Sequence, residues 1–133
     1  MRTRRQASGF TLVELLIVMI IVGILALLAF VGYNQYSQKA RASEARAGCG
    51  SVKGLIEAHF AQNGTMPTSP ASTGFPTTAI SGKYYSDYTF TGACDATTGR
   101  YAGTITPTAR AGSPTGMSIT YAADGTTTEA GWP

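Results

Sequence analysis

The first third of the chain carries one long apolar run. Residues 15–38 contain no charged side chain, and the apolar part of this run ends near Val31. Counted from Leu12, and allowing for a single Glu at position 14, the run covers roughly 20 residues, or about 30 Å of α-helix. A bilayer core has this thickness. The pattern predicts a membrane-spanning helix, because a soluble domain of 133 residues offers no good place to bury such a segment.

From Tyr33 to about Gln62 the pattern changes to that of an amphipathic helix. Apolar residues and one histidine fall at helical spacing on one side: Val52, Leu55, Ile56, His59 and Phe60. Asn63-Gly64 predicts the end of a helix that runs from Phe10 to Gln62. Three glycines weaken this prediction, because each costs up to about 1 kcal/mol relative to alanine. They are Gly48, Gly50 and Gly54.

The remainder of the chain has a period nearer two. Residues 64–83 are rich in Pro, Thr, Ser and Gly and predict a loop. Runs rich in Tyr, Thr and Ile then predict short strands at 84–91, 100–106, 117–122 and 126–129. Asp95–Gly99 and Asp124-Gly125 predict the turns between them. The predicted fold class is therefore α+β, with a long N-terminal helix whose C-terminal half packs on a small antiparallel sheet.

The charge of the chain is unevenly placed. The formal net charge is +3, but three of the ten basic residues, all arginines, lie within the first five positions. Without residues 1–9 the basic and acidic residues are equal in number. The short basic segment is therefore interpreted as a cytoplasmic flank that orients a membrane helix. An extended nucleic-acid surface is not indicated, although a few surface residues could suffice for binding.

Two cysteines, Cys49 and Cys94, have a spacing that resembles no zinc or redox motif. In an oxidising compartment they can form one disulfide, which would stabilise the domain by about 4 kcal/mol in the chain-entropy model. The alternative is two unpaired, buried cysteines. No metal site is expected, and calcium is not expected either, because only Asp124 and Glu129 are acidic after residue 95.

A carboxylate lies near the start of the apolar helix, in the stretch from Gly9 to Val18. A charge at the centre of a bilayer costs roughly 2.5–3.5 kcal/mol on insertion scales, and less near an edge. Such a residue usually has a partner or a function. Glu14 could instead extend its side chain towards the headgroups.

This stretch resembles the type III signal of type IV prepilins and related pseudopilins: a short basic leader, Gly9, Phe10, then Thr-Leu-x-Glu and an apolar helix. The resemblance implies that a prepilin peptidase cleaves between Gly9 and Phe10 and that Phe10 is then N-methylated. It implies that Glu14, beside Thr11, pairs with the amino terminus of a neighbouring subunit during assembly. It also implies the pilin fold, with residues 1–9 as leader, 10–33 as transmembrane and polymerisation helix, and 34–133 as globular domain.

The same resemblance implies a self-assembling helical homopolymer. The expected partners are the peptidase, a pilus assembly ATPase, a platform protein and an outer-membrane secretin, with no cofactor. The precursor would lie in the inner membrane with its N-terminus in the cytoplasm, and the mature subunit in an extracellular filament. Adhesion, twitching motility, DNA uptake and biofilm formation all remain open. Many type IV pilins have a helix-kinking proline where this chain has Val31, and Gly32 could loosen the helix instead.

Three other interpretations remain. A pseudopilin of type II secretion shares the signal, although the cysteine pair favours a pilin. An uncleaved single-pass anchor with a periplasmic domain explains the apolar run, whereas a secretory signal peptide, with Ala40-Arg41-Ala42 as cleavage pattern, would need a shorter run without Glu14. An enzyme is not expected, because His59 is the single histidine and no catalytic set can be assembled around it.

Overall fold

A computed structural model of the chain describes residues 9–74 and 80–133. Most of the predicted leader, residues 1–8, and residues 75–79 of the predicted loop lie outside the described residues. The chain divides into two compact units, Met1–Gln35 and Tyr36–Pro133. A single helix, α1, extends over Leu12–Asn63 and contributes to both units.

Helix α1 confirms the helix predicted from residues 10–62. It is continuous at Gly32 and at the three glycines of its amphipathic half. The helix ends as expected at Asn63, because Gly64 adopts a positive φ of 68° and donates its N–H to the Phe60 carbonyl at 2.8 Å. The side chain of His59 donates a hydrogen bond from Nδ1 to the Thr65 carbonyl (3.1 Å) and so holds the start of the loop against the end of the helix.

All four predicted strands are present. They are β1 (Tyr85–Cys94), β2 (Tyr101–Ala109), β3 (Ser118–Tyr121) and β4 (Thr127–Ala130), and they form one antiparallel sheet in the order β1-β2-β3-β4. The two predicted turns lie between β1 and β2 and between β3 and β4. Because β1 and β2 each end three residues beyond the predicted runs, their nine-residue pairing is longer than expected. A short 3-10 helix, Pro70–Thr73, was not predicted.

The core lies between the sheet and the amphipathic half of α1, as the sequence predicted. The helix contributes small or medium side chains spaced three and four residues apart: Ala42, Ala45, Cys49, Val52 and Ile56. The sheet contributes larger ones: Tyr85, Tyr88, Tyr101, Ile105, Met117 and Ile119. Large sheet residues thus fill the space that the small helix residues leave open, as close packing requires.

Two glutamates of α1 fix the position of the sheet along the helix. Glu44 accepts the backbone N–H groups of Tyr84 and Tyr85, at 2.7 and 3.1 Å. Nearly four helical turns later, Glu57 accepts the N–H of Tyr101 at 2.9 Å. Because Tyr85 begins β1 and Tyr101 begins the antiparallel β2, the two carboxylates hold opposite ends of the same hairpin.

The Glu57 anchor predicts a pH dependence of stability. Burial alone raises the pKa of Glu57, but the Lys53 ammonium (2.7 Å), the Tyr101 N–H and the charge of Arg100 together lower this pKa below its ordinary value of 4.5. A carboxylate with a depressed folded pKa stabilises the fold above its unfolded pKa and loses that contribution as the pH falls through the folded pKa. We expect Glu57→Gln to be less stable than the parent by about 0.5–1 kcal/mol at pH 7.

The difference in stability between Glu57→Gln and the parent should disappear as the pH falls below 4.5, because protonated Glu57 then resembles glutamine. Thermal unfolding of both full-length proteins in the same detergent, followed by near-ultraviolet circular dichroism at pH 7 and pH 3, measures the difference. An unchanged gap at pH 3 would show that the charge of Glu57 contributes nothing.

The structure does not contain the predicted disulfide: Cys49 and Cys94 are both free thiols. Cys49 is fully buried on α1, and burial raises the pKa of its thiol to about 12. Cys94 ends β1 near Lys53 and Glu57, whose charges act on its thiol. These residues lie about 6 and 12 Å further along the helix axis than Cys49. Cys94 therefore meets the helix beyond the turn that carries Cys49, a displacement that sequence spacing could not show.

Candidate functional site

The first turn of α1 is closed by a reciprocal pair of hydrogen bonds between Thr11 and Glu14. The Thr11 hydroxyl accepts the Glu14 N–H at 3.3 Å, and the Glu14 carboxylate accepts the Thr11 N–H at 3.5 Å and its hydroxyl at 3.3 Å. This is a capping box, in which a Thr before the helix and a Glu at its third position satisfy each other's backbone donors. The structure therefore brings the two predicted assembly residues together.

The capping box leaves the carboxylate available for another partner. The three hydrogen bonds of 3.3–3.5 Å are at the long end of the normal range and are therefore weak. The two that the carboxylate accepts use the same oxygen, Oε2, and within the described residues the Oε1 atom of Glu14 accepts none. A negative charge is also favoured in the first turn by the helix dipole. The arrangement holds a carboxylate at an exposed helix end, where a cation could replace the hydroxyl of Thr11.

Gly9 and Phe10 precede the helix and are exposed, with 75% of Phe10 accessible. Neither belongs to α1, which begins at Leu12. A peptidase needs access to the backbone around the bond that it cleaves, and the exposure of Gly9 and Phe10 is compatible with such access. The predicted cleavage and methylation positions therefore lie next to the capping box, whereas Cys49 and Cys94 lie in the other unit.

The apolar side chains in the first part of α1 are exposed. Its large apolar side chains from Leu12 to Phe30 are exposed by between 50% (Val18) and 82% (Leu12). Among the described residues, α1 is the one helix that is long and apolar enough to cross a membrane, as judged by length and composition, and its apolar window is wholly unburied. Exposed apolar surface of this extent indicates contact with lipid or with other protein segments.

The comparison with family models agrees with this geometry. Residues 4–30 match the family described as "Prokaryotic N-terminal methylation motif", which is the prepilin signal of type IV pilins and pseudopilins. No curated protein matches the chain. The resemblance found in the sequence is thus confirmed over the N-terminal segment.

The signal supports a prepilin of the pilin or pseudopilin type, and the long helix packed on a four-stranded antiparallel sheet is a pilin-like α+β fold. Its apolar helix is consistent with insertion of the precursor into a membrane.

Sequence reasoning identified Thr11 and Glu14 but missed the contact between them. The signal was present, because Thr-x-x-Glu ahead of an apolar run is the sequence pattern of a capping box. The contact gives Glu14 a role in the isolated chain in addition to any role between subunits.

Proposed function

We propose that this chain is the precursor of a structural subunit of a type IV pilus-like filament. The observation that carries the proposal is the exposed apolar helix with one carboxylate in its first turn, placed directly after the prepilin signal. The role is structural and not catalytic. The peptidase cleaves between Gly9 and Phe10, Phe10 is N-methylated, and the precursor waits in the inner membrane with its leader in the cytoplasm.

Cleavage prepares the helix for polymerisation in two ways. It removes the three arginines of the leader, whose positive charges oppose close packing of neighbouring helices. It also creates a new amino group at Phe10. In the filament this amino group pairs with Glu14 of a neighbouring subunit and replaces the weak capping bonds of Thr11. The pairing compensates both charges in an apolar core, where either charge alone is unfavourable.

Polymerisation exchanges contacts with lipid for contacts between helices, and the absence of charge from residue 15 to residue 38 makes the exchange possible along the whole segment. The assembly ATPase, the platform protein and the secretin are the proposed partners of this step. Adhesion, twitching motility and DNA uptake are the functions that such a filament would serve.

A pseudopilin of a type II secretion system is the second candidate. The cysteine pair favoured a pilin over a pseudopilin, but the free thiols of Cys49 and Cys94 remove that argument. Both candidates require the same processing and the same packing of helices, so the processing step tests them together.

Substitution of Gly9 tests the proposal. We expect Gly9→Leu to block cleavage, so that the chain keeps its leader, stays in the membrane fraction and is absent from filaments sheared off the cells. Intact-mass measurement of the membrane and sheared fractions reads out both effects. Ser8→Ala, which leaves Gly9 and Phe10 in place, is the matched control and should be processed normally. A Gly9→Leu chain that is trimmed at Phe10 and sheared in normal amounts would overturn the proposal.

A further inference from the structure

Three basic residues meet around Tyr84. The guanidinium of Arg41, on α1, and the ammonium of Lys83 each lie 5.2 Å from the centre of the Tyr84 ring. Arg110, which follows β2, donates its N–H to the Tyr84 carbonyl at 2.8 Å and a guanidinium N–H to the Ser81 hydroxyl at 3.3 Å. Arg41, Lys83 and Arg110, here called the basic cluster, thus come from three separate parts of the sequence.

The basic cluster has an excess of positive charge. The neighbouring carboxylate is Glu44, whose Oε1 is already engaged by the N–H groups of Tyr84 and Tyr85. Lys83 and Arg110 are exposed, and within the described residues neither forms an ion pair. In contrast, two other basic side chains of the domain are neutralised by a glutamate each, in the pairs Arg46–Glu129 and Lys53–Glu57.

The basic cluster also has unused hydrogen-bond donors. Arg41 donates through Nη1 to the Gly112 carbonyl, and its Nε is buried, which leaves the exposed side chains of Lys83 and Arg110 as the accessible donors. Within the described residues, the ammonium of Lys83 lies over the face of the Tyr84 ring and forms no hydrogen bond. Several N–H donors on neighbouring cations are suited to the oxygens of a phosphate group.

The position of the cluster along the chain indicates where such phosphates are found. On α1 the apolar run is followed by two exposed tyrosines, Tyr33 and Tyr36, and then by Arg41. Tyrosines at the end of an apolar run mark the headgroup layer on either side of a bilayer, and long basic side chains near a helix end reach that layer. Folding brings Lys83 and Arg110, which are 42 and 69 positions later in the sequence, to the same level of the helix as Arg41.

We propose that, in the membrane-held precursor, the basic cluster binds the phosphates of anionic phospholipid headgroups and so docks the globular domain on the membrane surface. This inference rests on the proposed function, because it requires a precursor that is stored in a membrane. Nucleic acid offers the same phosphate chemistry. A compact group of three cations directly after a membrane segment favours lipid, whereas nucleic acid needs a longer basic track.

The chain contains a matched control for this contact. Arg100 and Arg110 flank the two ends of β2, and both are exposed. The nine residues of β2 separate them by about 30 Å. Either substitution, Arg100→Gln or Arg110→Gln, removes one positive charge from the domain, but only the second removes it from the basic cluster.

The test uses the full-length precursor in lipid nanodiscs of phosphatidylcholine, with or without phosphatidylglycerol, that carry a gadolinium chelate on a fraction of the headgroups. Paramagnetic relaxation of backbone amides by nuclear magnetic resonance measures how close each segment comes to the headgroups. We expect residues 81–84 and 109–112 to relax faster when phosphatidylglycerol is present. The ratio of docked to undocked domain should fall roughly fivefold for each basic residue that is neutralised in Arg110→Gln and in Lys83→Gln/Arg110→Gln. Arg100→Gln should behave as the parent.

Three results would overturn the lipid contact. The first is the same relaxation in both lipid mixtures, and the second is an equal effect of Arg100→Gln and Arg110→Gln. The third is that the detergent-solubilised precursor binds a single-stranded oligonucleotide more tightly than anionic lipid. The first two are read from a precursor that stays in the nanodiscs, so they leave the proposed function intact. A precursor that does not remain in the nanodiscs at all would overturn membrane storage itself.

Discussion

A Glu14→Gln precursor is expected to be processed but to be nearly absent from sheared filaments. Glutamine at this position can still accept the Thr11 N–H, because a capping box tolerates either Glu or Gln. The substitution therefore keeps the start of the helix and removes only the negative charge. The amino terminus of a neighbouring subunit then stays unpaired in the apolar core, at a cost of about 3–5 kcal/mol. That cost corresponds to a loss of roughly 100-fold or more in assembled subunits.

The matched control is Thr11→Val, which removes the hydroxyl of the capping box and keeps the carboxylate. It costs about 1 kcal/mol of helix stability, so it should reduce assembly far less than Glu14→Gln. Immunoblots of sheared and cell-bound fractions, normalised to total subunit, measure both variants. Equal losses from the two substitutions would mean that Glu14 acts through the helix cap, and normal filaments from Glu14→Gln would remove the charge pairing from the mechanism.

The second large effect is expected at Gly48. A Cβ atom at this position would overlap the ring and hydroxyl of Tyr88, which is 99% buried. The clash involves a buried core side chain, so we expect Gly48→Ala to destabilise the globular unit by about 1–3 kcal/mol, the usual range for an overpacked core. The other two glycines of this half of α1 have no atom within 4 Å of the position that a Cβ would occupy. Gly50→Ala and Gly54→Ala should therefore stabilise the helix by up to about 1 kcal/mol each.

Tyr88→Phe separates the clash from other effects of Gly48→Ala. The Tyr88 hydroxyl is buried without a hydrogen-bond partner in the described part of the chain, so its removal should be neutral or stabilising. Because this hydroxyl is the atom nearest to the added methyl group, the cost of Gly48→Ala should shrink in the Tyr88→Phe background. Thermal unfolding of the four full-length proteins in one detergent gives the coupling. Two results would contradict the packing described for Tyr88. One is that alanine at Gly48, Gly50 and Gly54 changes the stability in the same direction at all three positions. The other is that Gly48→Ala costs as much in the Tyr88→Phe background as in the parent.

The features predicted from the sequence were those that arise from local patterns. The helix, its end at Asn63-Gly64 and the four strands follow from the spacing of apolar residues and from turn residues that are adjacent in sequence. The prepilin signal is also a continuous segment, and the family match over residues 4–30 confirmed it.

The features that were missed or wrong depend on contacts between distant residues. Gly48 was expected to weaken the helix, whereas it is the position that admits Tyr88, which is 40 residues away. The disulfide was predicted because Cys49 and Cys94 are the two cysteines, but the register set by Glu44 and Glu57 places Cys94 beyond Cys49. That register, like the grouping of Lys83 and Arg110 with Arg41, exists only once the sheet has docked on the helix.

The most direct test of filament assembly is the intact mass and the N-terminal sequence of the chain recovered from filaments sheared off wild-type cells. We expect a mature chain that begins with N-methylated Phe10 and has lost residues 1–9. A chain that retains Met1 or Arg2, and that is found only in the membrane fraction, would identify an ordinary membrane anchor and contradict assembly into a filament.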